Sequence, residues 1–484
     1  PAPCWHWYSP AVLTDIPHLQ PVFFTSSILK QPPVQHRGLN TEKYNNEEDF
    51  YISCIGIAPH NRHNLTDHNC ATQLAYPYFS LTQQRFQTIR RETIQMTMHN
   101  PMLEKLKEIL PAIRANAGKA EELRKVPQEN IDMLHGIGLN RAFLPKAYGG
   151  LEMSLPEFTD CIAALAGACC STAWAYSLLC THNHQMAMFS KEAQDEFWGE
   201  NPDVVASSSI APFGKHEEVE GGIIFTGDMK WSSGVDHAQW IIVGFNRFDD
   251  AGEKIYSFAV IPKRDFTIID DWHSAGMCGS GTKTASIKGV FVPEHRIQAA
   301  KDMMEGRHKG RSLYPDSKIY HTPYRPYFAC GFAAMSLGVA ERMIEVYKEL
   351  TNNRVRAYTG AQVKASIPPI LRIAESYQQV CAARAYLEKT WNEHKEYGER
   401  HQYPDRYTLA HWRTNQAYAI KMCVEAVNRL WAVMGASNWY TDREGQRLWR
   451  ESNMTAAHAY TDYDVCAQII GREILGLEPD PALL

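Results

Sequence analysis

The chain has 484 residues, of which 44% are hydrophobic and 21% charged, and its net charge is −5. That is ordinary globular composition with room for two or three domains. The negative balance, with no Lys/Arg run or basic–aromatic stripe, excludes a nucleic-acid surface.

Residues 1–95 keep no sustained helical or strand period. The opening P-A-P-C-W-H-W-Y-S-P lacks the basic start, apolar centre and small-residue cleavage site of a signal peptide. The first methionine is Met96, and pattern begins abruptly after it with M-L-E-K-L-K-E-I-L (102–110). Residues 1–95 therefore read as a disordered or non-native extension, with a partner-binding arm as the alternative.

From residue 96 to 202 the chain reads as a helical N-terminal domain. Two amphipathic helices are predicted over 102–139, with Pro127 near the start of the second. P-K-A-Y-G-G-L (145–151) is a Gly-terminated loop, and helix continues over 155–200. Residues 161–180 carry no charge and are long enough to span a bilayer. They are rich in Ala, Cys, Ser and Gly, and Ser171-Thr172 can end one helix and cap the next. Two core helices are expected there, not a membrane anchor.

From 203 to 298 the texture turns to β. Two serine clusters, A-S-S-S-I-A-P-F-G (206–214) and G-D-M-K-W-S-S-G (227–234), sit beside apolar strand-like runs, and S-I-K-G-V-F-V-P (286–293) closes the stretch. Serine runs usually mark solvated turns. At strand ends, however, their hydroxyls and N–H groups can hold a flat polar ligand. From 299 to 484 long helical patterns return, over Gly331–Asn352, Pro369–Tyr397, Leu409–Met434 and Leu448–Gly471, with a loop at Glu399–Asp405. An antiparallel four-helix bundle is expected.

The twelve cysteines form no C-x-x-C. Cys161, Cys169, Cys170, Cys180, Cys381, Cys423 and Cys466 fall in helical pattern, as buried free thiols fitting a reducing cytoplasm. H-E-x-x-H is absent, and His182 and His184 point in different directions on a helix, so no metal site is predicted. G-M-C-G-S-G (276–281) does not have dinucleotide-loop spacing and lies in β texture. No nicotinamide site is found.

P-K-A-Y-G-G, A-S-S-S-I-A-P, G-D-M-K-W-S-S-G and G-x-x-x-S-G-T leading to V-F-V-P stand in the order of the acyl-CoA-dehydrogenase superfamily, which the chain resembles from Met102 to Leu484. L-L-C-T-H-N-H-Q (178–185), D-S-K-I-Y-H-T-P-Y-R-P-Y-F (316–328) and A-H-A-Y-T-D-Y-D (457–464) are similar to its flavin-dependent monooxygenases. Within these they match the oxygenase components of two-component para-hydroxyphenylacetate hydroxylases. The resemblance implies an α+β fold with an N-terminal helical domain, a central β-barrel or sandwich and a C-terminal four-helix bundle. It implies reduced FMN or reduced FAD as cofactor, O2 as co-substrate, a C4a-hydroperoxyflavin route and a separate NAD(P)H-dependent flavin reductase. It also implies a small phenol as substrate, 4-hydroxyphenylacetate giving 3,4-dihydroxyphenylacetate, and a homotetramer.

Phenol hydroxylation sets physical demands that these residues can meet. A planar guanidinium suits a flavin phosphate. Arg354 and Arg356 are candidates, the resemblance favouring Arg354, and a solvated helix face is the alternative. His458, in T-A-A-H-A-Y, reads from residues alone as a satisfied core histidine, and the resemblance sets it against the flavin. There it could stabilise a peroxide anion. The resemblance also matches Ser233 to a hydroxyl at flavin N5, with Trp231 packing nearby, and His182 and Ser208 to a pair contacting substrate. Removing the phenolic proton is general-base work. Arg325, Phe328, Tyr358 and Tyr460 are expected to line the pocket, and Gly435, in M-G-A-S (434–437), to complete a neighbouring subunit's flavin site. An acyl-CoA dehydrogenase using Glu375 or Glu425 as base is the main alternative. The same chemistry on a steroidal phenol, an indole or a dibenzothiophene is another, and a catalytically dead scaffold a third.

Overall fold

The computed structural model describes residues 100–478; the stretch read as an extension, residues 1–95, lies outside them. Asn100 caps the first helix, accepting from the Leu103 N–H at 3.1 Å. Helix α1 spans Pro101–Ala115, α2 Ala117–Leu123 and α3 Gln128–Gly136. Two helices were expected here and three form. The division falls at Asn116, which stays in the right-handed region at φ −83°, ψ −1° and keeps its N–H bond to the Ala112 carbonyl at 3.1 Å, while its side chain donates to Asn130 Oδ1 at 2.8 Å. Pro127 stands just before α3 as its cap residue.

Helix α4 (Leu155–Ala168) opens on a Ser154/Glu157 capping box, and α5 (Cys170–Met186) follows after one residue. The corner is at Cys169, in extended conformation, not at Ser171-Thr172. Both hydroxyls lie inside the first turn of α5 and bond elsewhere, Thr172 to Cys169 Sγ and Ser171 to Glu451 Oε1. Every residue of α5 is buried in protein, which accounts for the uncharged stretch. Among the described residues no helix is long and apolar enough to cross a membrane. A short α6 (Lys191–Trp198) completes this part.

Eight strands follow: β1 Ala206–Ser209, β2 Lys215–Val219, β3 Gly222–Ser232, β4 Trp240–Phe248, β5 Lys254–Pro262, β6 Phe266–Ile269, β7 Lys283–Pro293 and β8 Ile297–Ala299. They form two four-stranded sheets, ordered β1-β4-β5-β8 and β2-β3-β7-β6. Ile223, Phe225 and Met229 of β3, Ile241, Val243 and Phe245 of β4, and Ala285 and Ile287 of β7 form a shared buried core. Their alternation along each strand directs one face inward. The serine clusters stitch the sheets together. Ser232 Oγ donates to Ser207 Oγ at 3.0 Å, and Ser209 Oγ to the Lys230 carbonyl at 2.6 Å. β3 is bulged between Met229 and Ser232, and Trp231 within the bulge has φ +60°, rare for a bulky residue.

The C-terminal helices are α7 Ala300–Glu305, α8 Tyr324–Asn353, α9 Ile367–Glu399, α10 Arg406–Trp431, α11 Glu444–Thr455 and α12 Tyr463–Ile474. The expected single helix over 448–471 is broken. Asp462 accepts from the N–H groups of Asp464 and Val465, so it starts a new helix in place of continuing the old one. Cys381 is exposed on α9, not buried as expected; Cys161, Cys169, Cys170, Cys180, Cys423 and Cys466 are buried.

Ser232→Ala would strand the Ser207 hydroxyl in a fully buried position. The expected loss is about 1–3 kcal/mol of unfolding free energy, read by urea denaturation; a loss near zero would show that the stitch contributes nothing.

Candidate active site

Helix α5, the start of α8, the ends of β1 and β3, the 272–282 loop and the α11–α12 break enclose a cavity of about 610 Å³, a size usual for cofactor and ligand sites. His182, Ser208, Trp231, Ser233, Arg325, Phe328, His458 and Tyr460 all line it. No Asp or Glu does.

His182 comes from α5. Its Nδ1 lies 2.7 Å from the Ala206 carbonyl of β1. A carbonyl can only accept, so Nδ1 carries the hydrogen and Nε2 is left with a lone pair. That Nε2 is buried without a protein partner. Burial pushes the ring's pKa down to about 4, keeping it neutral. Phe328 stacks alongside at 6.3 Å. Ser208 lies on the strand face opposite to the stitched Ser207 and Ser209, directed to the cavity.

His458 has the opposite tautomer. It sits in the helix break, where its Nδ1 accepts from the Tyr460 N–H at 3.1 Å. The hydrogen is therefore on Nε2. Burial, with help from the Arg413 charge, lowers its pKa to about 4. Its ring stacks on Phe332 at 4.2 Å and approaches Trp174 at 6.0 Å. The histidine is thus at a chain break and not on the Ala-rich helical face that the sequence suggests.

Ser233 follows β3 and anchors a hydroxyl relay. Trp174 Nε1 donates to Ser233 Oγ at 3.0 Å, Ser233 Oγ and Thr282 Oγ1 are 2.9 Å apart, and Thr282 and Ser280 are linked at 2.7 Å. Gly234, at φ +71°, lets this turn press on α5: a Cβ there would meet Leu179 at 3.3 Å. Trp231 stands at the mouth, largely exposed and edge-on to Phe213. Tyr324, Tyr256 and Tyr460 are the groups acting on Arg325, and no described carboxylate pairs with it. An aromatic-walled slot with donors along one edge and a buried unpartnered nitrogen fits a flat heteroaromatic ring beside a phenol.

Tyr358 and Arg354 do not line this cavity, nor does Gly435, which was expected to serve a neighbouring subunit's site. Tyr358 is fully exposed on the loop between α8 and α9. Arg354 is turned away and donates to the Val433 and Met434 carbonyls at 3.0 Å each, neutralising the C-terminal end of α10. Gly435, at φ +82°, touches that guanidinium so closely that a Cβ would lie 2.3 Å from it. Arg354 and Gly435 thus form one unit outside the cavity of their own chain. Arg356 is exposed, its guanidinium 3.5 Å from Ser366 Oγ. Glu375 and Glu425, offered as a dehydrogenase base, pair with Arg429 and Lys421 on the outside of the bundle. His184 turns away from His182, bonding the Ile319 carbonyl at 2.8 Å and stacking on Tyr327 at 3.8 Å.

Sequence reasoning passed over several lining residues. Trp174 was hidden in the uncharged stretch, and Ser280 and Thr282 in a motif quoted for order but given no role. Arg413, on α10, looked like any solvated helix cation.

The fold and site define a class. The patterns described as acyl-CoA dehydrogenase N-terminal and C-terminal domains match residues 103–201 and 330–463. The chain is 64% identical over 383 residues to the p-hydroxyphenylacetate 3-hydroxylase oxygenase component of Acinetobacter baumannii, covering 79% of this chain and 91% of that protein. It is 31% identical over 395 residues to the flavin-dependent monooxygenase oxygenase subunit HsaA of Mycobacterium tuberculosis, covering 81% of this chain and all of that one. Among solved structures, 3-HSA hydroxylase from Rhodococcus sp. RHA1 superposes with a TM-score of 0.75 at 28% identity, over 80% of this chain and 99% of that one. The chain belongs to the oxygenase components of flavin-dependent monooxygenases, built on the acyl-CoA dehydrogenase fold.

Burial also sets an acid limit. His182, His308 and His458 are pushed down to about 4, and His184 and His394 to about 3. All five are neutral in the fold, whereas unfolded histidine titrates near 6.5. Between pH 6.5 and 4 the unfolded chain binds more protons, so stability falls as pH falls. Tm should drop by roughly 5–10 °C between pH 7 and pH 5; a level Tm would contradict neutral burial.

Proposed function

We propose that this chain is the oxygenase of a two-component system and hydroxylates a small para-substituted phenol ortho to its hydroxyl, converting 4-hydroxyphenylacetate to 3,4-dihydroxyphenylacetate. When bound, reduced flavin supplies the two electrons with which O2 gives one oxygen atom to the ring and the other to water. The observation that carries this reading is the pair of histidines in one carboxylate-free cavity, locked in opposite tautomers.

His182 takes the phenolic proton on its unpartnered Nε2, with Ser208 beside it, making the ortho carbon more nucleophilic. His458 presents Nε2–H on the opposite side, a donor to negative charge developing on oxygen. Ser233, held by Trp174 and Thr282, would hydrogen-bond a flavin in this cavity and so help retain its proton. Trp231 covers the mouth, and Phe328 and the tyrosines exclude water, which limits loss of oxygen as free peroxide.

The substrate class rests on Arg325. A guanidinium ringed by tyrosines, with no described carboxylate partner, favours an anionic para substituent. The 64% identity to a p-hydroxyphenylacetate 3-hydroxylase oxygenase component supports the same choice. A dehydrogenase reading is disfavoured because no carboxylate lines the cavity. A separate NAD(P)H-dependent reductase supplies the reduced flavin, FMN or FAD, a reading supported by similarity to a relative named as an oxygenase component, and the free thiols suit a cytoplasmic setting. We assign a homotetramer in which Arg354, Gly435 and Tyr358 serve a neighbouring copy's flavin. Exposed Ile367, Ile370 and Leu371 on α9 support such a contact.

The test mixes protein with reduced FMN anaerobically, then with O2 and 4-hydroxyphenylacetate, and assays catechol and hydrogen peroxide. Catechol is expected; peroxide alone would remove the substrate, and flavin that fails to bind would remove the reading. Ser233→Ala should keep the rate of oxygen uptake but divert it to peroxide. His458→Val should slow oxygen uptake itself. His182→Ala should cut catechol formation about 10²-fold with peroxide rising in its place. If all three variants matched wild type, the assignment of roles would be wrong.

A further inference from the structure

Arg413 is a cavity-lining cation to which the roles above give nothing to do. It projects from α10, far in sequence from the other site residues. Its Nε donates to the Tyr460 carbonyl at 2.9 Å, and its guanidinium lies 4.5 Å from the centre of the Tyr460 ring. The same residue, Tyr460, donates its N–H to His458 Nδ1 at 3.1 Å. A chain of contacts therefore runs from α10 through Tyr460 to His458.

The segment it grips is short and only partly helical. Residues 456–462 lie between α11 and α12 and contain a single 3-10 turn, Ala459–Thr461, in which the Thr461 N–H bonds the His458 carbonyl at 2.9 Å. Thr414, next to Arg413, bonds the Cys466 carbonyl at 2.9 Å on the far side of the break. Tyr460 faces Phe328 edge-on at 6.4 Å, which places it on the wall near His182. His458 approaches Trp174, the partner of Ser233. The break thus presents one residue to each half of the cavity, and Arg413 bonds it directly.

We propose that Arg413 is a positioning residue that fixes Tyr460, and through its backbone His458, so that the phenol wall and the oxygen-side donor are set together. This rests on the monooxygenase reading above. A planar guanidinium can stack on the ring while its Nε–H reaches a carbonyl, which a lysine ammonium cannot do in the same geometry. Loss of that grip leaves the break free to shift, and small misplacements of orienting groups cost large factors.

The experiment uses full-length protein and four readouts: Tm, FMN affinity, equilibrium affinity for 4-hydroxyphenylacetate under anaerobic conditions with reduced FMN, and the catechol-to-peroxide ratio in air. Arg413→Met should weaken phenol binding about tenfold and raise the peroxide share, with FMN affinity within about twofold of wild type. Arg413→Lys, which keeps a cation over the ring, should recover part of the phenol affinity. In a Tyr460→Ala background, Arg413→Met should weaken phenol binding less than it does in wild type, because the guanidinium–ring contact is gone while the Nε–H bond to the residue-460 carbonyl remains. Unchanged phenol affinity and peroxide share in Arg413→Met would overturn the proposal. So would losses matched by equal falls in FMN affinity and Tm, or full additivity with Tyr460→Ala. Wild-type protein that binds reduced FMN and gives no catechol from any phenol would instead overturn the monooxygenase reading.

Discussion

The contact between His182 Nδ1 and the Ala206 carbonyl, 2.7 Å long, is the constraint on which the site's design turns. It joins α5 to β1, the helical part to the sheet part, and it does so with the side chain that faces the substrate slot. Because a carbonyl cannot donate, the bond chooses the tautomer. Because α5 is buried along its whole length, the ring cannot turn to find another partner. A structural bond and a chemical state are therefore fixed by one interaction. The serine stitch between β1 and β3 extends the same logic. It uses the odd-numbered hydroxyls of the first cluster for cohesion and leaves Ser208 to the cavity.

Electrostatics inside the cavity are one-sided. Lys230, Arg325 and Arg413 line it, and among the described residues no carboxylate does. Such a site favours anionic ligands, as a reduced flavin or an aryl carboxylate would be. Burial lowers the pKa of both histidines, and at His458 the Arg413 charge adds to it. The neutral imidazoles can then act as acceptor and donor without either needing to be ionised.

Much of this was legible in the sequence. The helix–sheet–helix order, the long helices over 326–434 and the closing strand at 286–293 follow from hydrophobic period and turn residues. The eight residues that converge on the cavity were found through motifs that keep their order. What periodicity could not reveal were the places where side chains overrule it. The first helical run divides at Asn116, Cys169 turns the corner assigned to Ser171 and Thr172, and Asp462 starts a new helix within a run that looks continuous. Arg413 was invisible for a related reason: its meaning depends on Tyr460, which becomes its neighbour only in three dimensions. Arg354 and Tyr358 lie outside the cavity of their own chain, and the role expected of Gly435 belongs to a neighbouring copy, which a single chain does not display.

The helix break at 456–462 has a consequence for how the enzyme can change over time. Under the proposed roles, substrate recognition and oxygen handling share a seven-residue segment there, held from one side by α10. Alterations in it would trade one property against the other, whichever is selected. The strip Ser209–Ala211 at the end of β1 also lines the cavity but makes no described contact with His458. New aromatic substrates are therefore more readily admitted by remodelling that strip, and divergence among relatives with different substrates should concentrate there while the break stays constant.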